Sequence, residues 1–318
     1  MIKFLQKMRI KDKIKRPRRP VVAYEILPPR EKDGTLNSYA ANISSLLSQT
    51  HIDAINIPEV RDEVARGERP VKNQLRAEPR EFGRLLQDIV GVEAIVNRVV
   101  VHQKLNDELK WLAETNKKYE IENLITVGGE SRSIDYPGPS VNEALAAIKK
   151  NENINLLCGG ISIPSREKES LKLIEKSENG SEFFTTQVLY DSSKIIKMIS
   201  HYQKRCDQKK TFPRRLLLSF APVSSEKNIK FLKWLGVEIP AETEILLKKD
   251  LSKMTDKSME IAVNVLQETL NHLNENDITV PIGLNVEHIM SYNFQASIEM
   301  LQELSRIYRE FCIKTEIY

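Results

Sequence analysis

The chain has 318 residues, of which 41% are hydrophobic and 29% are charged, so it carries enough apolar material for the core of a large globular domain. No apolar run reaches the roughly 18 residues that would cross a bilayer, and the first 20 residues are basic rather than hydrophobic. These features exclude a membrane span and a secretory signal and predict a cytoplasmic protein. The three cysteines are too few and too dispersed for a disulfide framework or a zinc site, so no metal is expected.

The net charge of +4 is unevenly distributed along the chain. Residues 1–20 contain nine Lys or Arg and one Asp, which gives this N-terminal extension +8 and leaves −4 for residues 21–318. A nucleic-acid-binding protein would instead spread positive charge over a folded face, so no nucleic-acid partner is expected. We interpret the basic extension as a solvated or packing segment, with binding to an anionic partner or a membrane surface as the alternative.

After the extension, short apolar segments alternate with amphipathic helical ones, a pattern typical of parallel strands joined by crossover helices. The predicted strands are 21–27, 52–57, 94–101, 124–127, 154–157, 183–190, 216–220 and 278–284. The predicted helices are 38–48, 80–89, 106–117, one that begins at Ser140, 168–177, 194–205, 227–235, 241–274 and 296–312. The helical stretch 241–274 is longer than a crossover needs, and either caps the site or mediates assembly.

Eight such units predict a single (β/α)₈ TIM barrel over residues 21–318, because eight parallel strands close on themselves. The alternative is an open, doubly wound sheet, which would more often carry a glycine-rich turn after its first strand. The turn here is Leu27-Pro28-Pro29-Arg30, which cannot cradle a pyrophosphate with backbone N–H groups. The barrel is therefore the favoured architecture.

In a barrel of this kind the active site lies at the carboxyl ends of the strands. Alternation along the first strand points Glu25 inward, where burial raises the pKa of a carboxyl group and makes it a competent general acid. Gln187, in an apolar strand, needs hydrogen-bond partners that a pterin would provide. For both residues the alternative is a purely structural role within the barrel. Other polar residues at strand ends are Asn56, Glu59, Arg98, His102, Glu130, Asp191, Asn285, Glu287 and His288.

Two glycine pairs, 128–129 and 159–160, follow the fourth and fifth predicted strands. Glycine at these places indicates a close approach of a ligand to the backbone. The signal is weak on its own, because glycine is common in any turn from strand to helix.

Three motifs occur in order on the expected strands. They are Glu25-Ile26-Leu27-Pro28-Pro29-Arg30, then Thr186-Gln187-Val188-Leu189-Tyr190-Asp191, then Ala221-Pro222-Val223-Ser224 followed by Gly236-Val237-Glu238-Ile239-Pro240. Together they resemble the methylenetetrahydrofolate reductase family over nearly the whole chain after Arg19.

This resemblance implies that the protein reduces 5,10-methylenetetrahydrofolate to 5-methyltetrahydrofolate with a hydride from reduced FAD. By position, Glu25 would protonate the pterin and open the imidazolidine ring. The residues assigned to the folate are Gln187, Glu130, Tyr190, Asn285, Asn56 and Glu59. The residues assigned to FAD are Gly129, Tyr136, Lys176 and Arg98.

The flavin side of this pattern departs from the family more than the folate side. Glu130 replaces an Asp, Gly128 takes the place of an Arg or Thr, and Arg98 replaces a His. Glu175 stands where a second basic residue is common and would repel a diphosphate. The alternative function is therefore a folate-binding or methyl-transfer protein without stably bound flavin, acting with a protein partner or as a homo-oligomer. A barrel enzyme of another substrate class is the third hypothesis.

Overall fold

A computed structural model describes residues 8–62, 66–131 and 133–314. They form eight parallel strands that pair in chain order and close into a barrel, β1 with β8, so the predicted (β/α)₈ TIM barrel is confirmed. The strands are β1 (Val22–Glu25), β2 (Ala54–Ile57), β3 (Glu93–Val99), β4 (Asn123–Val127), β5 (Leu157–Ser162), β6 (Phe183–Val188), β7 (Arg215–Phe220) and β8 (Ile282–Glu287).

All the helices except the first surround the barrel and cover its outer face. They are α1 (Ile10–Ile14), α2 (Leu36–Leu47), α3 (Pro79–Val90), α4 (Leu105–Lys117), α5 (Val141–Lys150), α6 (Glu169–Asn179), α7 (Ser192–Lys209), α8 (Glu226–Trp234), α9 (Ala241–Lys248), α10 (Met254–Glu275) and α11 (Phe294–Lys314). The predicted helical stretch 241–274 consists of two helices, since a 3₁₀ turn at Leu251–Lys253 separates α9 from α10. Within the described part of the chain, every helix is too short or too polar to span a bilayer.

Helix starts follow the local sequence. The predicted helix start at Ser140 is confirmed by a capping box: the Glu143 amide donates to Ser140 Oγ at 3.3 Å, and the Ser140 amide donates to Glu143 Oε2 at 2.8 Å. Each bond satisfies an N–H that the helix itself leaves without a partner.

The basic extension closes the amino-terminal end of the barrel. Ile10 and Ile14 of α1 are buried against the inward-facing residues of the strands, including Phe183. Arg215, itself 1% exposed, donates from Nη2 to the carbonyl oxygens of Arg16 at 2.7 Å and Pro17 at 3.2 Å. Residues 8–20 are therefore a packing segment, and the first seven residues of the extension lie outside the described residues.

The glycine pair of the fifth strand does not lie in a turn. Gly159 and Gly160 both lie within β5, which extends five residues beyond the predicted end, so the predicted boundary was wrong. A Cβ on Gly159 would come within 2.5 Å of the Phe183 ring, whereas one on Gly160 would make ordinary contacts from 3.4 Å. Close packing inside the barrel, rather than a ligand, explains Gly159.

We expect Gly159→Ala to lower the free energy of unfolding by about 1–3 kcal/mol, because the added methyl group overpacks the interior against Phe183. Urea denaturation followed by circular dichroism would measure the loss. Gly160→Ala is the matched control and should lose less. Equal losses at the two positions would show that the packing against Phe183 is not the reason for Gly159.

Candidate functional site

A concave site opens at the carboxyl ends of the strands and has two adjoining lobes. The main lobe has a volume of about 400 Å³ and includes residues of the strands and turns from β1 to β8. The second, which we call the arginine lobe, has a volume of about 350 Å³ and is lined by Arg30, Arg61, Arg69, Lys72 and Arg76. Both lobes share one border, formed by Glu25, Pro58, Glu59, Leu235, Glu287 and Ile289.

Two carboxyl groups lie side by side at this border. Glu25 ends β1 and Glu287 ends β8, and the two residues are register partners. Glu25 is also the register partner of Asn56 on β2. Since register partners on parallel strands point to the same face, all three side chains are directed into the barrel.

A chain of hydrogen bonds holds this pair in place. Asn56 Nδ2 donates to Glu25 Oε2 at 2.8 Å, and Asn285 Nδ2 donates to Glu287 Oε1 at 3.0 Å. Asn285 Nδ2 also lies 3.1 Å from Ser219 Oγ, which contacts Thr185 Oγ1 at 3.2 Å. Asn56 and Asn285, both assigned to the folate, therefore bond the carboxyl groups from below. Such a polar network fixes the positions of both carboxyl groups.

The environment of the pair favours the protonated form of the carboxyl groups. Burial raises the pKa of Glu25 well above its ordinary value, and the adjacent Glu287 carboxylate raises it further. A hydrogen bond from Asn285 lowers this pKa and offsets part of the rise. Burial also raises the pKa of Glu287, against hydrogen bonds from Ser219 and Asn285. Two carboxylates this close resist carrying two charges, so one of them holds a proton near neutral pH.

Gln187 lines the main lobe at an irregular part of its strand. The register between β6 and β7 shifts between Thr185 and Val188, and such a bulge re-aims the side chains of the bulged strand. Gln187 is half-buried and lines the main lobe, with Nε2 donating to the Leu235 carbonyl oxygen at 3.2 Å. Its amide oxygen is the acceptor available to a ligand.

The turn after β4 places Gly129 and Glu130 on the wall of the main lobe. The ring of Tyr136 covers Gly129, since a Cβ there would come within 2.3 Å of it. The Tyr136 hydroxyl accepts a hydrogen bond from the Glu130 amide at 3.0 Å. Tyr136 therefore holds the turn from behind and orients Glu130 at the edge of the cavity.

Lys176, on α6, lines the main lobe together with Arg166 and Lys172. Its Nζ donates to the Ile161 carbonyl oxygen at 2.6 Å and lies 3.8 Å from the buried carboxylate of Glu169. Burial lowers the pKa of Lys176, and the attraction of Glu169 opposes that shift. This wall of the lobe carries positive charge.

Arg98 is engaged on every side by protein groups. Its guanidinium donates to Glu108 at 2.7 Å, to Glu59 at 3.0 Å and to Gln103 at 2.9 Å, and it stacks 4.3 Å from the centre of the Trp111 ring. Glu59 also accepts from the Val99 amide at 2.7 Å. Arg98 thus fixes Glu59, which lies on the shared border of the two lobes.

Two residues at strand ends turn away from the cavity. The Tyr190 hydroxyl, assigned to the folate, is buried and donates to the Ala221 carbonyl oxygen at 2.8 Å, outside both lobes. His288 Nδ1 donates to the Glu25 carbonyl oxygen at 3.2 Å, and burial lowers the pKa of this histidine to about 4. Both side chains support the wall behind the site.

Several residues that line the main lobe were not assigned a role from the sequence. They include Glu287, which was noted only as a strand-end residue, and Asn97, Thr126, Arg166 and Lys172. Asn97 is 8% exposed, and its Oδ1 has no hydrogen-bond partner among the described residues. The strict alternation of Asn285 and Glu287 in β8 is the signal that could have identified Glu287, because both must face the interior.

Residues 159–305 match the family model of methylenetetrahydrofolate reductase. The resemblance to this family is confirmed. The match to the reductase family begins inside β5 and includes Gln187, Lys176 and Glu287, whereas Glu25 precedes it. No curated protein matches the chain.

Many solved structures match the chain, and one of them shares the fold over nearly its whole length. It is an uncharacterised protein from Clostridium thermocellum, described as binding two copies of 5-methyl-5,6,7,8-tetrahydrofolic acid. The TM-score is 0.77 at 23% sequence identity, and the alignment covers 93% of this chain and 99% of the other. At this identity the likeness establishes a shared fold.

Proposed function

We propose that this protein binds a reduced folate in the main lobe and that Glu25 is the acid that acts on it. The observation that carries the proposal is the Glu25–Glu287 pair, which is held by amide side chains at the floor of a cavity. The match to the reductase family and the folate bound by the structural neighbour support the same ligand class.

The chemistry of the lobe suits a pterin. A pterin edge presents both donors and acceptors, and the Gln187 amide, the unpartnered oxygen of Asn97 and the carboxyl pair can meet them. A lobe of about 400 Å³ is within the usual range for a small-molecule site. The folate would thus be oriented by hydrogen bonds from several strands at once.

The reaction that follows from a protonated Glu25 is the reduction of 5,10-methylenetetrahydrofolate. Glu25 gives a proton to the anilino nitrogen of the imidazolidine ring, and the bond from that nitrogen to the methylene carbon breaks. The iminium carbon left on the pterin nitrogen then takes a hydride from a hydride donor supplied from solution, such as a reduced nicotinamide, to give 5-methyltetrahydrofolate. Glu287 lies beside Glu25 and favours its protonated form through charge repulsion. The acid is therefore available near neutral pH, where a free carboxyl group would be ionised.

Three of the four residues assigned to FAD are engaged within the protein, which leaves Lys176 as the one with N–H groups to spare for a flavin diphosphate. Arg98 is engaged by Glu59 and Glu108, Lys176 Nζ donates to a backbone carbonyl, and the Tyr136 ring covers Gly129. We therefore derive no step through a flavin. This disagreement favours the second candidate function, a protein that binds or transfers methyl-folate without stably bound flavin.

Gln187→Leu is expected to weaken the binding of 5-methyltetrahydrofolate about tenfold, because it removes a hydrogen-bonding amide from the lobe. Isothermal titration calorimetry would measure the dissociation constants. Gln295→Leu, on the exposed side of α11, is the matched control and should bind like the native protein. Native protein that gives no heat and no thermal shift at millimolar folate would rule out the proposed function, since a bound ligand must stabilise the fold.

A further inference from the structure

Helix α9 is not needed for the crossover from β7 to β8. The crossover is completed by α10, which packs against α7 and α11 in the outer ring of the barrel. Helix α9 precedes it and is separated from it by the 3₁₀ turn Leu251–Lys253. The described residues that line the two lobes of the site include none from α9, so this helix does not cap the site. Assembly is the remaining interpretation of the long helical stretch.

One face of α9 is packed against the rest of the chain. Leu247 on this face is fully buried, and Glu244 pairs with Lys233 of α8 at 2.5 Å. Lys248 pairs with the same Glu244 carboxylate at 2.5 Å. The charges on this inner face are therefore compensated within the chain.

The opposite, outer face of α9 is apolar at its centre and charged at both ends. Ile245 is 70% exposed and Leu246 is 42% exposed. Glu242 lies three residues before Ile245, and Lys249 lies three residues after Leu246. Both charged side chains are exposed, and neither has an ion-pair partner in the part of the chain that the structure describes. Because an α-helix has about 3.6 residues per turn, Glu242 and Lys249 are aligned two turns apart with the apolar pair between them.

This outer face is complementary to itself. When two copies of α9 pack antiparallel about a two-fold axis between Ile245 and Leu246, Glu242 of each copy lies opposite Lys249 of the other. Ile245 and Leu246 then contact the same two residues of the second copy at the centre of the interface. Parallel packing would instead place like charges beside each other at both ends. The charge pattern therefore selects the antiparallel orientation.

We propose that the protein forms a homodimer through the outer face of α9, with the two copies of the helix antiparallel. Contact removes the apolar centre of the face from water, and the Glu242–Lys249 pairs at the two ends fix the register. An apolar centre with a charged rim is the usual anatomy of a protein interface. Since the face is small, the dimer is reversible rather than permanent.

Sedimentation equilibrium of the full chain over a range of protein concentrations tests the dimer. The native chain is expected to change reversibly from monomer to dimer as its concentration rises. Ile245→Glu should raise the dissociation constant by roughly 100-fold or more, because each dimer loses two buried isoleucines and gains two carboxylates at its apolar centre. Ile313→Glu changes an isoleucine of α11 that is 64% exposed, and as the matched control it should leave the dissociation constant unchanged. Both variants should show the circular dichroism of the native chain, since both side chains are exposed.

Reversal of the end charges tests the antiparallel register. Glu242→Lys or Lys249→Glu alone places like charges opposite each other at both ends and should weaken the dimer roughly tenfold. An equimolar mixture of these two variants should instead form a heterodimer about as stable as the native dimer, since each position 242 then faces the opposite charge at position 249. The two substitutions in one chain should restore the homodimer for the same reason.

Four results would overturn the proposed dimer. A native chain that stays monomeric at every concentration would show that no second copy covers the face. A dimer unaffected by Ile245→Glu would lie on another surface. Single charge variants that associate more tightly than the native chain would indicate parallel packing. A monomeric native chain that cosediments with vesicles of anionic phospholipid, but not after Ile245→Glu, would assign the face to a membrane surface.

Discussion

Glu25→Gln is expected to lower the rate of 5,10-methylenetetrahydrofolate reduction by roughly 10²-fold or more while leaving folate binding largely intact. The glutamine keeps the shape of the side chain and can still bond Asn56, but it has no proton to give to the folate nitrogen. The rate of 5-methyltetrahydrofolate formation would be followed by chromatography, with reduced nicotinamide or chemically reduced flavin supplied as the hydride donor. Calorimetry on the same preparation would measure folate binding.

Substitution of Glu287 tests the role of Glu25 a second way, through the pH dependence of the reduction rate. If protonated Glu25 is the acid, the rate should fall as the pH rises through its raised pKa. Glu287→Gln removes the neighbouring charge that raises this pKa, so the fall should move to lower pH. A reduction rate that is unchanged in Glu25→Gln would contradict the role of Glu25 as the acid. A pH profile of the rate that is unchanged in Glu287→Gln would contradict the role of Glu287 in raising the pKa of Glu25. Native protein that binds folate but forms no product with any donor would favour the binding function.

The barrel could be predicted from the sequence because its pattern is local. Each strand is a short apolar run between turn residues, and each helix carries its own periodicity, so the number of units follows without knowledge of contacts. Gly159 was misinterpreted because its neighbour Phe183 is contributed by the next strand. The break between α9 and α10 was missed because helical periodicity continues across Leu251–Lys253.

The site was predictable only in part, for a related reason. Alternation within one strand shows which way Glu25 points, but its pairing with Glu287 depends on closure of the barrel between the first strand and the last. Four of the five cations of the arginine lobe come from the connection between β2 and α3, and Arg30 follows β1; the two segments are joined by the bridge between Arg30 and Arg76. From the sequence alone, charged residues in such a connection predict a solvent-exposed loop.

The role of Arg98 depends on the carboxylates that it contacts in the folded protein. In the sequence, the resemblance to the reductase family placed it where a residue contacts the flavin. In the structure it compensates two carboxylates, one of them, Glu108, without any exposed side-chain surface. Arg98→Met is therefore expected to lower the free energy of unfolding by about 3–5 kcal/mol, because it leaves buried charge uncompensated. Urea denaturation of the ligand-free protein would measure this loss.

The control for Arg98→Met is a variant that removes an arginine from the surface of the protein. Arg84, a partly exposed residue of α3, pairs with Asp88 at 3.0 Å and with Glu120 at 2.5 Å, and because both partners are exposed Arg84→Met should cost about 1 kcal/mol or less. Adding Glu108→Leu to Arg98→Met should recover part of the loss, since it removes the fully buried unpaired carboxylate. If Arg98→Met left the stability of the ligand-free protein unchanged, the ion pairs with Glu59 and Glu108 would not be its main role. A weakened affinity for added FAD in that stable variant would then return Arg98 to the flavin side of the site.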